Sequence, residues 1–315
     1  MRALVTGAEG FVGGHLIDCL TTRADEVHGT TLSTDLLGEH IPPDVDFHQC
    51  DILDQKKLAD LVQEVTPDAI VHLAAMSSVS IARTHPGLTA RVNIQGTSNL
   101  LESASKLVPK PKVLFVSTCE VYGAVAEDEC PITEGRPIQP QSIYAASKAS
   151  AEVLAGFYAR ARELPLVIVR SFNHTGPRQA PNFVCSAFAK QIAQIEAGES
   201  EPVIRVGNLE ARRDFLDVRD VVRAYVLALE KGAPGGAYNI CSGQAVSIRE
   251  ILDALLSFSN IEIEVEVSKE LLRPLDIPLL VGSHDRFTEA TGWIPEIPLD
   301  RTLKDLLGHW RAIFT

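Results

Sequence analysis

Short apolar runs and longer amphipathic stretches alternate through the first half of the chain. Leu4-Val5, Glu26 to Thr30, Asp46 to His48, Ala69 to Leu73, Val113 to Ser117 and Leu166 to Arg170 read as strands. Between them, apolar positions recur at helical spacing over Gly14 to Thr22, Gln55 to Val65, Asn93 to Leu107 and Ile143 to Arg162, each bounded by Gly, Pro, Asp or Thr. Strands of this kind are buried on both faces, so the order predicts an α/β fold: a doubly wound parallel sheet covered by helices on each side.

After Arg170 the pattern loosens. Phe172 to Pro181 is a loop rich in Gly, Pro and Asn, and shorter helical and extended pieces follow. Tyr238-Asn239-Ile240 and Leu279-Leu280-Val281 read as late strands returning to the sheet. The expected division is therefore interleaved. A core domain covers residues 1–171 with returning segments at about 214–243 and 277–283; a smaller C-terminal domain, where a substrate would sit, takes 172–213 and 244–315.

With 315 residues, 45% of them hydrophobic, the chain can bury a large core. A net charge of -12 argues against nucleic acid and anionic membranes as partners. The six cysteines are scattered, with no pair at metal-ligand spacing and too few for a disulfide framework, so no metal is expected. The chain opens on a strand pattern without a charged leader or a long apolar run, and a cytoplasmic location is the expectation.

Gly7-Ala8-Glu9-Gly10-Phe11-Val12-Gly13 follows the first strand and opens the first helix. Backbone amides and a helix N-terminus then converge on one spot suited to a pyrophosphate, with side chains excluded at Gly7 and Gly10 and close helix packing at Gly13. A tight turn alone would also ask for glycine, but strand, turn and helix agree here. Thr31 stands near the end of the second strand, in Thr30-Thr31-Leu32-Ser33, where NAD sites usually carry an acid. Neither that acid nor an Arg or Lys is present, so NAD and NADP both stay open, with a lean to NADP or dual use. Asp51 and Ile52 are expected near the adenine. Leu73, Ala74 and Ala75 either lie beneath the cofactor or simply end a buried strand, and Asn93 is added to the cofactor set.

Tyr144 and Lys148 are four apart on a helix, which places phenol and ammonium on one face roughly 6 Å apart along the axis. A nearby cation lowers a phenol pKa from about 10 and lets it exchange a proton with a sugar oxygen. Thr118 and Glu120 lie at the carboxyl end of a central strand, where doubly wound sheets bind ligands. Thr118 is expected to hold the reacting oxygen. Glu120 fits three roles: base, hydroxyl-orienting group or loop cap.

These residues resemble the extended short-chain dehydrogenase/reductase superfamily in a GxxGxxG opening, Tyr-x-x-x-Lys, and the strand end Ser117-Thr118-Cys119-Glu120-Val121-Tyr122-Gly123. The resemblance covers essentially the whole chain and implies a Rossmann-type sheet with a smaller substrate-binding domain. Arg170 to Pro177, Asn182-Phe183-Val184 and Val206 to Phe215 are similar to the branch acting on GDP-sugars. By that resemblance Tyr144 is the proton donor or acceptor, Lys148 its partner and ribose anchor, and Thr118 the third member. Asn173, Val184, Lys190, Arg213 and Arg273 fall where the branch holds guanosine diphosphate, and a homodimer is implied. Arg205, Arg212, Arg213, Arg219 and Arg223 crowd one stretch of an acidic chain and suit a diphosphate; the alternative is that Asp214, Asp217 and Asp220 pair with some of them.

Within the branch, Cys119 beside Glu120 is a poor proton donor to a leaving hydroxide, and Phe215 to Asp220, Tyr238 to Gln244 and Gly282-Ser283-His284 resemble the reductases. The expected reaction is NAD(P)H-dependent reduction of the C4 ketone of GDP-4-keto-6-deoxy-D-mannose to GDP-D-rhamnose. The alternatives are 4,6-dehydration of GDP-mannose with Glu120 as base, another nucleotide-sugar epimerisation or dehydration, or a non-catalytic nucleotide sensor.

Overall fold

Apolar strands without a polar face force helices onto both sides of a sheet. In the computed structural model, which describes residues 1–33, 42, 44–271 and 277–314, β1 (Arg2–Thr6) runs through a tight turn into α1 (Phe11–Thr22). Next come β2 (Glu26–Thr31), β3 (Asp46–Gln49), α2 (Gln55–Val65) and β4 (Ala69–His72). Two short helices, α3 (Val79–Thr84) and α4 (Pro86–Ala90), lead through a π-helical turn (Arg91–Gly96) into α5 (Thr97–Ser105). β5 (Lys112–Thr118), α6 (Ile143–Ala161) and β6 (Leu166–Ser171) complete the first half.

The second half comprises β7 (Asn173–Thr175), α7 (Val184–Glu196), β8 (Val203–Val206), β9 (Arg212–Asp217), α8 (Val218–Lys231), β10 (Ala237–Ile240) and β11 (Ala245–Ser247). It ends with α9 (Ile248–Ser257), β12 (Glu264–Val267), β13 (Leu279–Leu280), α10 (Asp285–Thr291) and α11 (Leu299–Phe314).

Seven strands form one sheet in the order β10-β6-β5-β4-β1-β2-β3, every neighbouring pair parallel. From β1 the chain winds outward to β2 and β3, then returns to the other side of β1 as β4, β5 and β6. The reversal opens a crevice beyond the carboxyl ends of β1 and β4. One face of the sheet is sealed by α1 and α8, which supply Leu16, Ile17, Leu20, Val221, Val222 and Tyr225 to the core, and the other by α2, α5 and α6. A third cluster joins α7, α9 and α11 through Phe188, Ile192, Leu252, Leu255, Leu306 and Trp310, a second core beyond the sheet.

Three expectations change. Leu279-Leu280 does not return to the large sheet; β13 lies parallel to Arg212-Arg213 of β9, in a small sheet that also takes β11 and β7. Conversely, Phe287 and Trp293 leave the C-terminal region and bury in the core formed by β1, α1 and α8. The helix expected from Asn93 also starts upstream, since Pro86, at the first helical turn, opens α4 and the chain passes through the π turn into α5.

Two buried carboxylates tie these layers together. Glu152 of α6 takes Arg170 Nε (3.2 Å) and Nη2 (2.9 Å) of β6, while Arg170 Nη1 donates to the Tyr122 hydroxyl (2.9 Å), which donates to Asn239 Oδ1 of β10 (2.7 Å). Asp214 of β9 accepts from the Ser242 amide and hydroxyl (both 2.7 Å), the Gly243 amide (3.0 Å) and the Gly282 amide (3.3 Å).

Candidate active site

At the mouth of the crevice, the turn after β1 needs its glycines for measurable reasons. Gly7 has φ +69, and a Cβ there would lie 2.8 Å from the Ala74 backbone; at Gly13 it would lie 2.6 Å from the carbonyl oxygens of Gly7 and Ala8. The turn is fastened to β2 by Gly7 N–H to Thr30 Oγ1 (3.3 Å) and Ala8 N–H to Thr30 O (3.1 Å). Gly10 caps α1 without a side-chain hydrogen bond, so no capping side chain takes up the first-turn amides of Phe11, Val12 and Gly13. Such a cradle fits a dinucleotide pyrophosphate.

The other residues expected around a coenzyme divide. Leu73, Ala74 and Ala75 follow β4 at the crevice and are partly exposed. The Asp51 carboxylate is at the surface, where Oδ1 takes the Leu53 amide (2.9 Å), whereas the Ile52 side chain is buried in the core beneath α2 and α5. Thr31 Oγ1 donates to Ser33 O (2.7 Å), which commits that hydroxyl locally. Asn93 is a brace: its Oδ1 accepts the Met76 amide (2.8 Å) and its Nδ2 donates to Ser147 Oγ (2.8 Å) and Met76 O (3.2 Å), pinning the segment after β4 to α6.

Ser142 caps α6, accepting the Ala145 amide (3.0 Å), and this start places Tyr144 and Lys148 one turn apart on the face toward β5. Tyr144 hydrogen-bonds with Thr118 at the end of β5. Its pKa is raised by burial and by the Glu120 charge, opposed only by the Thr118 hydrogen bond. This corrects the expectation that Lys148 lowers it, because four-residue spacing aligns two groups but does not set the polarity around them. Burial also depresses Lys148, to about 8, against the attraction of Glu152. Its Nζ lies 4.5 Å from the centroid of the Phe115 ring. Glu120 Oε2 accepts from Ser142 Oγ (3.3 Å), and the neighbouring Cys119 thiol is pushed far up by burial and then by Glu120.

Sequence reasoning missed Ser142 and Tyr225, and took His72 only as the head of the run His72-Leu73-Ala74-Ala75, with no role of its own. His72 is enclosed between Thr6 Oγ1 (2.7 Å) and Thr97 Oγ1 (2.9 Å); burial, then Lys148, drops its pKa to about 3, so it stays neutral beside the ammonium. Tyr225 meets Ser171 Oγ at 2.7 Å. Only Ser142 had a local signal, a serine directly before the helix.

Of the expected sugar-nucleotide residues, Asn173 is exposed on β7, Val184 opens α7 and Arg213 lies on β9, where its Nη1 reaches Arg212 O (2.9 Å). Lys190 Nζ lies 5.5 Å from the Trp310 ring centroid. Arg205, exposed on β8, pairs with Glu266 (3.3 Å), which corrects its assignment to the diphosphate. Arg219 is held by Asp217 and Asp305, and Arg223 by Asp220 and Glu296, so acidic partners account for three of the five crowded arginines. Arg273 lies outside the described residues.

A coenzyme cradle at the switch point of a parallel sheet, with Thr118, Tyr144 and Lys148 beside it, defines the class of extended short-chain dehydrogenases/reductases. The chain belongs to the GDP-mannose 4,6-dehydratase family, whose model matches residues 4–306. It is 35% identical over 99% of its length to the GDP-6-deoxy-D-mannose reductase of Pseudomonas aeruginosa, covering 97% of that protein. Among solved structures it is similar to RMD from Pseudomonas aeruginosa complexed with NADPH, at 34% identity and TM-score 0.85 over 99% of this chain and 100% of that one. It is also similar to the Thermus thermophilus UDP-glucose 4-epimerase complexed with NAD, at 31% identity and TM-score 0.88 over 99% of each chain. By their names these relatives act on nucleotide sugars, the two structures hold NADPH and NAD, and NAD(P) is the coenzyme of the family. Among the described residues no helix is long and apolar enough to cross a membrane, and no His, Cys, Asp or Glu cluster could hold a metal.

Proposed function

We propose that this protein reduces the C4 ketone of GDP-4-keto-6-deoxy-D-mannose to GDP-D-rhamnose with NAD(P)H, and that Tyr144 protonates the developing alkoxide. The observation that carries the choice of reduction over dehydration is the environment of Glu120. Expelling the C6 hydroxyl needs a proton donor next to the base. Cys119 fills that place, deep in the core with a thiol far less acidic than usual, while Glu120 is engaged by Ser142. Reduction needs only one proton at one oxygen, and Tyr144, un-ionised and hydrogen-bonded with Thr118, holds it.

When bound, the reduced nicotinamide supplies the hydride. The glycine turn of Gly7, Gly10 and Gly13 and the amides of Phe11 and Val12 would hold its pyrophosphate, and Leu73, Ala74 and Ala75 would border the nicotinamide. Thr118 aligns the ketone oxygen with the phenol. Lys148, which keeps its proton up to about pH 8, stabilises negative charge on Tyr144 as that proton leaves and anchors the ribose. Asn173, Val184, Lys190 and Arg213 are the side chains that would meet guanosine diphosphate. The 35% identity to a GDP-6-deoxy-D-mannose reductase supports the same reading.

Product analysis by NMR tests it: the keto sugar with NADH or NADPH should yield the C4 alcohol, whereas conversion of GDP-mannose to the keto sugar without added coenzyme would assign dehydration instead.

We also infer a homodimer in the cytoplasm, built through α4, α5 and α6. Val153 (69% exposed) and Phe157 (48%) continue a stripe from Ala146 and Ser150 on α6, and Leu88 extends the apolar surface from α4. Light scattering at micromolar concentration should give twice the chain mass; a monomer would remove this assembly.

A further inference from the structure

The end of β2 has no acidic residue, yet a carboxylate stands there. It comes from the turn. Glu9, the third residue of the glycine loop, folds back so that its carboxylate accepts from its own amide and that of Leu32, the residue directly after β2. Its second oxygen, Oε2, is buried without a hydrogen-bond partner among the described residues. An ionised carboxylate only accepts hydrogen bonds, and a buried oxygen with none lacks a donor worth having. In a doubly wound fold, the ribose of the adenosine half lies against this strand end, and an acid there accepts from the 2′-hydroxyl. The surrounding charge points the same way, since no Lys or Arg occurs between Arg23 and Lys56. The stretch that carries β2 and β3 therefore offers no cation to a 2′-phosphate.

We propose that Glu9 sets the coenzyme preference, supplying from the glycine turn the carboxylate that β2 lacks, and so selects NAD(H) over NADP(H). A 2′-hydroxyl gives the orphaned oxygen its donor. A 2′-phosphate brings only acceptors and a like charge into a half-buried place. This reverses the lean toward NADP that the neutral residues Thr30 to Ser33 suggest, because the discriminating group is not on the strand.

The inference rests on the coenzyme site and not on the reductase reading, so it is tested without any sugar. NADH and NADPH are each titrated against the full-length protein and binding is read from their own fluorescence. The wild type should bind NADH about tenfold or more tightly than NADPH, the equivalent of one hydrogen bond to a charged group. Glu9→Gln, which keeps the shape and removes the charge, should narrow that ratio severalfold, mainly by tightening NADPH. Should circular dichroism show the glutamine variant misfolded, Glu9→Ser carries the same expectation. Equal or tighter binding of NADPH by the wild type, failure to bind either coenzyme, or an unchanged ratio in a folded variant would each overturn the proposal.

Discussion

Lys148 should weaken the fold that carries it, and Lys148→Met should reveal by how much. The side chain is 4% exposed, and burial brings its pKa from the ordinary 10.5 down to about 8 even with Glu152 nearby. At neutral pH both folded and unfolded chains hold the proton, but the folded one holds it at a cost of about 1.4 kcal/mol per pH unit of that difference, or about 3 kcal/mol. Between about pH 8 and 10.5 the unfolded chain binds a proton that the folded chain has released, so stability contributed at this position climbs with pH and the cost fades. Methionine has a similar length, no charge and an apolar body that can rest on Phe115. Urea unfolding at pH 7 should therefore find Lys148→Met more stable by up to about 3 kcal/mol, and at pH 9.5 by about half that. Turnover should meanwhile collapse, a trade of stability against function. A variant less stable than the wild type at pH 7, or a difference that does not shrink at high pH, would refute the reasoning.

Other consequences follow from the same site and its supports. Tyr144→Phe keeps the ring but removes the proton, and turnover should fall by about 10²- to 10⁴-fold while NADH fluorescence titration remains near wild type; near-normal turnover would remove Tyr144 from the mechanism. Gly13→Ala places a methyl 2.6 Å from two backbone oxygens and should abolish coenzyme binding, visible by the same titration. Glu152→Ala strands Arg170 in the core and should lower stability by about 3–5 kcal/mol in urea, and a loss below about 1 kcal/mol would show that water reaches the guanidinium.

The parallel sheet and glycine turn were legible in the sequence because each follows from local rules: apolar strands need helices on both faces, and Gly7 and Gly13 sit where any Cβ would strike backbone. Tyr144 and Lys148 could be paired from spacing, but their acidities depend on burial and on Glu120 and Thr118, which long-range packing brings in, besides Glu152 one turn further along α6. The crowded arginines misled for a similar reason, since Glu266, Glu296 and Asp305 lie 61, 73 and 86 residues beyond their partners Arg205, Arg223 and Arg219. Leu279-Leu280 was recognisable as a strand, yet its apolar pattern does not encode which sheet receives it. Asn93 has no local sign of its role as a brace, since the Met76 and Ser147 groups that occupy its amide come from two other segments.

Asp214 has a consequence for how this molecule can diversify. One enclosed carboxylate fastens β9, the bend at Ser242-Gly243 and the stretch at Gly282, so these three stretches move as a unit or not at all. New sugar preferences would then arise from exchanging side chains upon a stationary platform, and insertions or deletions there would unfasten all three stretches together.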